Sequence, residues 1–298
     1  MIAALLKSKI NNLIAKLNNR YILREEIAIN YFEKKSLLST STLVSDANEN
    51  TNIIVSLTTY SIRINDVHLV IESLGEQTIK PDRIILWLDD AEFSENSIPE
   101  VLKRQIHRGL EIRFCRNYRS YKKLIPILEM NLSKDIITVD DDVIYPYDFI
   151  EIFKIEAEAN PRIVLCNHAH KMVLDKFGKI APYKDWDNST DSVEASSLIF
   201  PVGVGGVYYP NGCFSEKVLE SELFMSLAPT ADDVWFKAMT LKNGVKSKKV
   251  NDSRAYLERF IPISRGQSIA LFHQNVDEGL NDGQIKKVFS NIGLDCLN

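Results

Sequence analysis

From Ile53 to Ala159 the sequence alternates short β-branched runs with helical ones, and no other feature constrains the fold as tightly. Ile53–Thr58 reads as a strand, Asp66–Gln77 as an amphipathic helix, and Arg83–Leu88 as a strand running into Asp89 and Asp90. Ile98–Arg108 reads as a helix stopped by Gly109, where a glycine C-cap is expected. Glu111–Cys115 follows as a strand, Tyr121–Asn131 as a helix, Asp135–Asp140 as a strand, and Tyr147–Ala159 as a helix ending before Pro161. Repeated βα units of this length imply an α/β fold with a mostly parallel sheet and helices on both faces. Open sheets of that kind place ligands at the carboxyl ends of their strands.

The last strand of the series carries the chemistry. Ile136, Ile137 and Val139 run into Asp140, Asp141 and Asp142. Three adjacent carboxylates repel one another unless a cation or a proton sits among them. Side chains alternate along an extended backbone, so Asp140 and Asp142 are expected on one side and Asp141 on the other. Two same-facing carboxylates can hold a divalent cation that also takes phosphate oxygens of a substrate. An acidic loop at a strand end is the plainer alternative.

Before this region, Ile2, Leu5, Leu6, Ile10, Leu13, Ile14 and Leu17 recur at three- and four-residue steps, an N-terminal amphipathic helical segment. Its charges are Lys7, Lys9, Lys16 and Arg20, with no acid before Glu25, and helicity is expected to continue through Lys35. Residues 38–52 are small and polar and read as a linker, which divides the chain into 1–50 and a larger unit at 51–298. Lys7 and Lys9 interrupt the apolar start before a signal-peptide core could form. Beyond Cys166 regularity weakens: residues 175–200 read as a long loop or hairpin, and Gly203, Gly205 and Gly206 as sites of close backbone approach. Residues 215–227 read as helical, and a further helix opens at Thr230-Ala-Asp-Asp233, where Thr230 and Asp233 have capping-box spacing.

Composition narrows the function. A net charge of −4 and a pI near 5.8 argue against a nucleic-acid partner. Cys115, Cys166, Cys213 and Cys296 include no Cys-x-x-Cys pair, which reads as reduced thiols in a cytoplasmic protein and not as a zinc site.

Four blocks together resemble a GT-A-fold glycosyltransferase of family 2: Ile53-Ile-Val-Ser-Leu-Thr-Thr-Tyr-Ser-Ile-Arg63, Gln77-Thr-Ile-Lys-Pro-Asp-Arg-Ile-Ile-Leu86, the DxD-like Asp140-Asp-Asp142, and Ala231-Asp-Asp233. The resemblance covers roughly residues 50–290, with Gln-Thr-x-x-Pro as its most specific part. Thr58-Thr59-Tyr60 stands where Tyr-Asn is more familiar, and the Gln-x-x-Arg-Trp motif of processive members is absent, which argues for transfer of a single sugar. The resemblance implies roles. Thr58, Tyr60 and Arg63 would hold the base and ribose of a nucleotide sugar, a UDP-sugar by expectation, with Asp89 or Asp90 near the base and Asp141 beside the nucleotide. Asp140 and Asp142 would bind Mn²⁺ or Mg²⁺ on the diphosphate, with His273 as a third ligand, and Lys122, Lys123 and Arg265 would contact phosphate. Asp233, with Asp232 beside it, would be the general base of an inverting transfer to a hydroxyl of a glycan or lipid-linked acceptor. Trp186 and Tyr183 would offer an acceptor platform or pack within their loop. The stripe of residues 2–20 is expected on the inner face of a membrane, or against the domain or a second subunit in a homodimer.

A haloacid-dehalogenase-type phosphatase also carries a DxD after a strand. There it follows the first strand with Thr or Val two residues past the second Asp, whereas here three strands precede it and Ile144 occupies that place. A non-catalytic sugar- or nucleotide-binding module is the remaining alternative.

Overall fold

The computed structural model describes residues 2–46, 49–265 and 280–294, with side chains from residue 19 onward. The strands are β1 Ile53–Thr58, β2 Arg83–Asp89, β3 Leu110–Cys115, β4 Asp135–Thr138, β5 Val143–Ile144, β6 Val164–Lys171, β7 Ile199–Tyr209, β8 Ser247–Lys249 and β9 Ile261–Pro262. The helices are α1 Ile2–Leu38, α2 Val67–Gly75, α3 Glu100–Ile106, α4 Ile125–Glu129, α5 Phe149–Ala159, α6 Ser221–Leu227, α7 Asp232–Lys242 and α8 Tyr256–Arg259, followed by the C-terminal helix Leu280–Asn291.

Seven strands form the central sheet in the order β3-β2-β1-β4-β7-β6-β8, and β5 and β9 form a separate ribbon. β1 pairs in parallel with both β2 and β4, while β7 runs antiparallel to β4 and β6. The expected α/β architecture with a mostly parallel sheet is therefore present. From β1 the chain first winds outward through β2 and β3 and then returns to lay β4 on the other side. A crevice opens where such an order reverses, at the carboxyl ends of the two strands. Here those ends deliver Thr58–Tyr60 and Asp140–Asp142.

Alternation along β1 feeds two cores. Ile54 faces the cluster containing α4, α6 and α7, whereas Ile53, Val55 and Leu57 face the cluster built on α2 and α5. The helix expected over Tyr121–Asn131 is instead a 3₁₀ turn at Arg119–Lys123 followed by α4. Pro126 has no N–H to donate to the preceding turn, so the helix starts around it. β4 stops at Thr138, and Asp141 and Asp142 lie in a turn.

The glycine run, expected to permit close approach or positive φ, lies inside β7. Between the pairs Cys166↔Val207 and His168↔Val202 the register shifts, so Gly203–Gly206 bulge out of the ladder. Gly205 and Gly206 sit at φ +76° and +91°, which a side chain would strain.

α1 is one continuous helix whose Ile29 and Ser36 are buried against the domain. Residues 41–45, inside the stretch read as a linker, are docked: Leu43 is fully buried and its amide donates to Arg108 O, while Ser45 N donates to Pro81 O. Arg108 reaches the Ser41 carbonyl and makes two hydrogen bonds to the buried Glu72.

Candidate active site

A cleft of about 600 Å³ opens at the reversal point. Thr58, Tyr60, Arg63, Lys122, Lys123, Asp140, Asp141, Asp232 and Asp233, all singled out from sequence, line it.

The acidic turn is clamped from three sides. Thr59 Oγ1 donates to Asp141 Oδ2 at 2.6 Å and Arg63 Nη1 to Asp141 Oδ1 at 2.8 Å. The same Arg63 nitrogen lies 3.0 Å from Asp142 Oδ2. The expected alternation, with Asp140 and Asp142 facing away from Asp141, is thus replaced by a turn that lets one buried guanidinium meet two carboxylates. A buried charge is stable only when paired, and Arg63 satisfies this twice over. The second clamp explains the Gln-Thr-x-x-Pro block. Gln77 Nε2 bridges Ser73 O and Pro146 O, its Oε1 accepts the Ile150 amide, and Ser73 Oγ accepts the Tyr145 amide. The hydroxyl of Tyr145 in turn accepts the Asp140 amide at 2.9 Å. The third clamp is the β5–β9 ribbon, extended by Ile263 N donating to Asp142 O at 2.8 Å.

Asp140 is the exception to this satisfaction. Among the described residues nothing donates a hydrogen bond to its carboxylate. Burial pushes its pKa up to about 7, opposed by Lys123 and reinforced by Asp142, Asp141 and Asp233. Burial likewise raises Asp141, against the pull of Arg63 and Thr59.

Opposite stands α7, whose first two residues are Asp232 and Asp233. Its N-cap is Ala231, not Thr230, because Thr230 exchanges hydrogen bonds with Gln284 of the C-terminal helix; the capping-box reading is corrected accordingly. Gly203 N donates to Asp233 Oδ2 at 3.0 Å. Lys123 Nζ lies 3.3 Å from Asp232 Oδ2, and a Cβ built on Gly203 would fall 2.7 Å from that ammonium. The bulge of β7 thus brings bare backbone to a buried lysine and an aspartate together. Ser56 Oγ fixes the turn by donating to Lys123 O at 2.7 Å. Burial raises Asp233 to about 6, with Asp232 adding to the shift and Lys123 and the Gly203 amide opposing it.

Other residues singled out from sequence lie elsewhere. Asp89 is buried, accepts the Ala91 amide and sits 3.6 Å from Lys122 Nζ, which ties Lys122 to the fold. Asp90 is exposed and outside the cleft lining. Arg265 pairs with Glu33 of α1 at 3.0 Å, not with the cleft. Trp186 is buried, with its Nε1 donating to Ala181 O and its ring against Phe200, so packing is its role and not an open platform. His273 lies outside the described residues. Glu92, Asn117, Arg119 and Val204 line the cleft without having been singled out, in stretches whose sequence carries no motif.

Among the described residues no group of three His, Cys, Asp or Glu side chains converges on one point. Asp140 nevertheless offers the cleft a half-buried carboxylate that no described residue donates to, and hard oxygen ligands suit Mg²⁺ or Mn²⁺ when substrate phosphates complete the shell. The residues fit such a cation as a partial site, with Asp142 shared with Arg63.

No family model matches the chain, and no curated protein matches it. Among solved structures it is similar to the mannosyltransferase PcManGT from Pyrobaculum calidifontis in complex with GDP-Man and Mn²⁺, at 15% identity, over 94% of this chain and 77% of that one, with a TM-score of 0.45.

Proposed function

We propose that the chain is a metal-dependent glycosyltransferase that moves one sugar from a nucleotide-sugar donor, a UDP-sugar, to a hydroxyl of a glycan or lipid-linked glycan, with inversion. The observation that supports it most is the cleft itself, whose lining brings together Thr58, Tyr60, Arg63, Asp140 and Asp233. Arg63, Tyr60 and Thr58 hold the nucleotide; Lys123 stands by the phosphates. Asp140 and Asp142, with His273 from the tail, would hold Mn²⁺ or Mg²⁺, which when bound stabilises charge on the departing nucleoside diphosphate.

Asp233 takes the proton of the acceptor hydroxyl as its oxygen bonds to the anomeric carbon and the bond from that carbon to the diphosphate breaks. A carboxylate pKa of about 6 suits this work near neutral pH. The Gly203 amide holds Oδ2, which leaves Oδ1 for the proton.

The test is a thermal-shift panel of nucleotides and nucleotide sugars with and without Mn²⁺, followed by a donor-cleavage assay. A donor at about 100 times its dissociation constant adds about 2.7 kcal/mol. Metal-dependent cleavage of a nucleotide sugar separates a transferase from a phosphatase and from an inert binding module. Equal binding of UDP and Mn²⁺ by Asp142→Asn and the parent would remove Asp142 from the metal.

The basic, apolar-striped residues 2–20 are proposed to meet an anionic membrane surface, consistent with a lipid-linked acceptor. No helix among the described residues is long and apolar enough to cross a membrane. Sedimentation with anionic liposomes that is unchanged on removing residues 1–35 would contradict this placement.

A further inference from the structure

Beside the Gly203 bulge stands a wall of side chains on β6 and its neighbours, of which Tyr183 was singled out from sequence. His168 and His170 are two apart on β6 and share a face, opposite Val202 and Phe200 of β7. Val202 lines the cleft, as does its neighbour Val204, which is 43% exposed. The His168 and His170 rings lie 5.5 Å apart, with Tyr183 5.5 Å from His170 and Tyr256 6.5 Å from His168. His168, Tyr183 and Tyr256 are each half-buried, with one side accessible.

One residue organises the imidazoles. Ser189 stands at φ +54°, an unusual conformation for a serine, and its amide donates to His170 Nδ1 at 2.9 Å. A nitrogen that accepts a hydrogen bond carries no proton, so the ring proton of neutral His170 is on Nε2 and available as a donor. Ser189 Oγ is also 3.4 Å from His168 Nε2. Burial lowers both imidazoles, His170 to about 4, so the pair is uncharged at neutral pH. Lys249, the cation that acts on His168, is itself engaged by Thr190 O at 2.7 Å. The wall is thus uncharged aromatic surface with polar edges. It suits a ligand with hydroxyls for the imidazole and serine edges and C–H faces for the tyrosine rings.

We propose that His168, His170, Ser189, Tyr183 and Tyr256 form a carbohydrate subsite that seats the acceptor sugar beside Asp233. This rests on the proposed transferase reading, and its test is separable from that reading. Imidazole resonances of His168 and His170 are followed by NMR in the full-length protein with Mg²⁺ and UDP, during titration with methyl glycosides of glucose, galactose, mannose and N-acetylglucosamine. At least one glycoside is expected to shift both imidazoles with saturation. Tyr183→Ala should weaken that glycoside about tenfold, which corresponds to 1.4 kcal/mol. Ser189→Gly, which keeps the backbone at positive φ and removes only the hydroxyl, should weaken it as well and guards against misfolding in the first variant. Absence of imidazole shifts with every glycoside, or unchanged affinity in Ser189→Gly and Tyr183→Ala, overturns the subsite. Donor cleavage measured separately reports on the transferase reading, since it needs no acceptor sugar.

Discussion

Replacing Asp140 by Asn should stabilise the metal-free protein at neutral pH, and added Mn²⁺ should cut that advantage by stabilising the parent alone. In the folded chain burial raises the Asp140 carboxyl from its ordinary 3.8 to about 7. Between those values the folded state binds more protons than the unfolded state, so stability is lost as pH rises through the window and the loss is complete above about 7. A shift of that size is worth at most about 4 kcal/mol at pH 7.5, and about 1.5 kcal/mol at pH 5. Asp140 keeps some surface open to the cleft, so solvent screening brings the real figures below those limits. The imidazoles of His68, His168 and His170 are lowered and act with the opposite sign, raising stability as pH rises toward 6.5. Comparison of variant with parent cancels them, since both proteins carry the same imidazoles. Urea unfolding at pH 5, 6.5 and 7.5 in chelator-treated buffer should show the advantage of Asp140→Asn growing with pH. Saturating Mn²⁺ should then favour the parent alone, by about 2.7 kcal/mol at 100 times the dissociation constant. A difference that is flat with pH, or a variant less stable than the parent without metal, refutes the reasoning.

Three further outcomes are expected. Gly203→Ala puts a methyl 2.7 Å from the flexible end of Lys123, so the fold should tolerate it with a change in Tm of a few degrees at most. Pushing the ammonium out by about 1 Å weakens its attraction to Asp232 by about 1 kcal/mol at an effective dielectric of 20, and donor turnover should fall about fivefold; unchanged turnover would show that the position of Lys123 does not matter. Asp233→Asn should leave nucleotide affinity, read by thermal shift, near the parent value and lower transfer about 10²–10⁴-fold. Arg108→Ala strands the fully buried Glu72 and frees the Ser41 carbonyl, which should cost about 3–5 kcal/mol in urea unfolding, while Glu72→Met with Arg108→Met should recover most of it.

The βα alternation made the order of β1 to β4 legible because each strand is a run of β-branched residues between polar breaks. The acidic turn and the α7 carboxylates were legible for the same local reason: they sit at element ends. β7 was hidden because its four-residue bulge interrupts the period of two that marks a strand, and Gly203-Val-Gly-Gly206 reads as loop. The partners of Lys122 and Asp89 were illegible, since an ion pair across 33 residues leaves no local trace. Trp186 was ambiguous in sequence because an indole serves packing and ligand stacking equally well, and only burial distinguishes them. His168 and His170 did leave a signal, two histidines at strand spacing, whose meaning depended on the neighbouring Val202 reaching the cleft.

The charge balance of the cleft floor bears on what it can bind. Asp140, Asp141, Asp142, Asp232 and Asp233 gather there, with Arg63 and Lys123 as the cations paired to them and exposed Arg119 offset by Glu92 in the lining. Lys122 adds nothing to this balance, because Asp89 neutralises it. Like charges this close cannot all ionise without compensation; burial raises the carboxyls of Asp140, Asp141 and Asp233, and the neighbouring carboxylates add to the shift. Protons relieve it in part, but a protonated floor presents no ligand to a cation and still no net positive charge to a diphosphate. A divalent cation relieves it differently: it adds two positive charges, keeps Asp140 ionised and gives phosphate oxygens a place to bind. On the proposed reading, the surplus of carboxylates is what would make an acidic cleft compatible with an anionic donor, and it would tie nucleotide affinity to the metal.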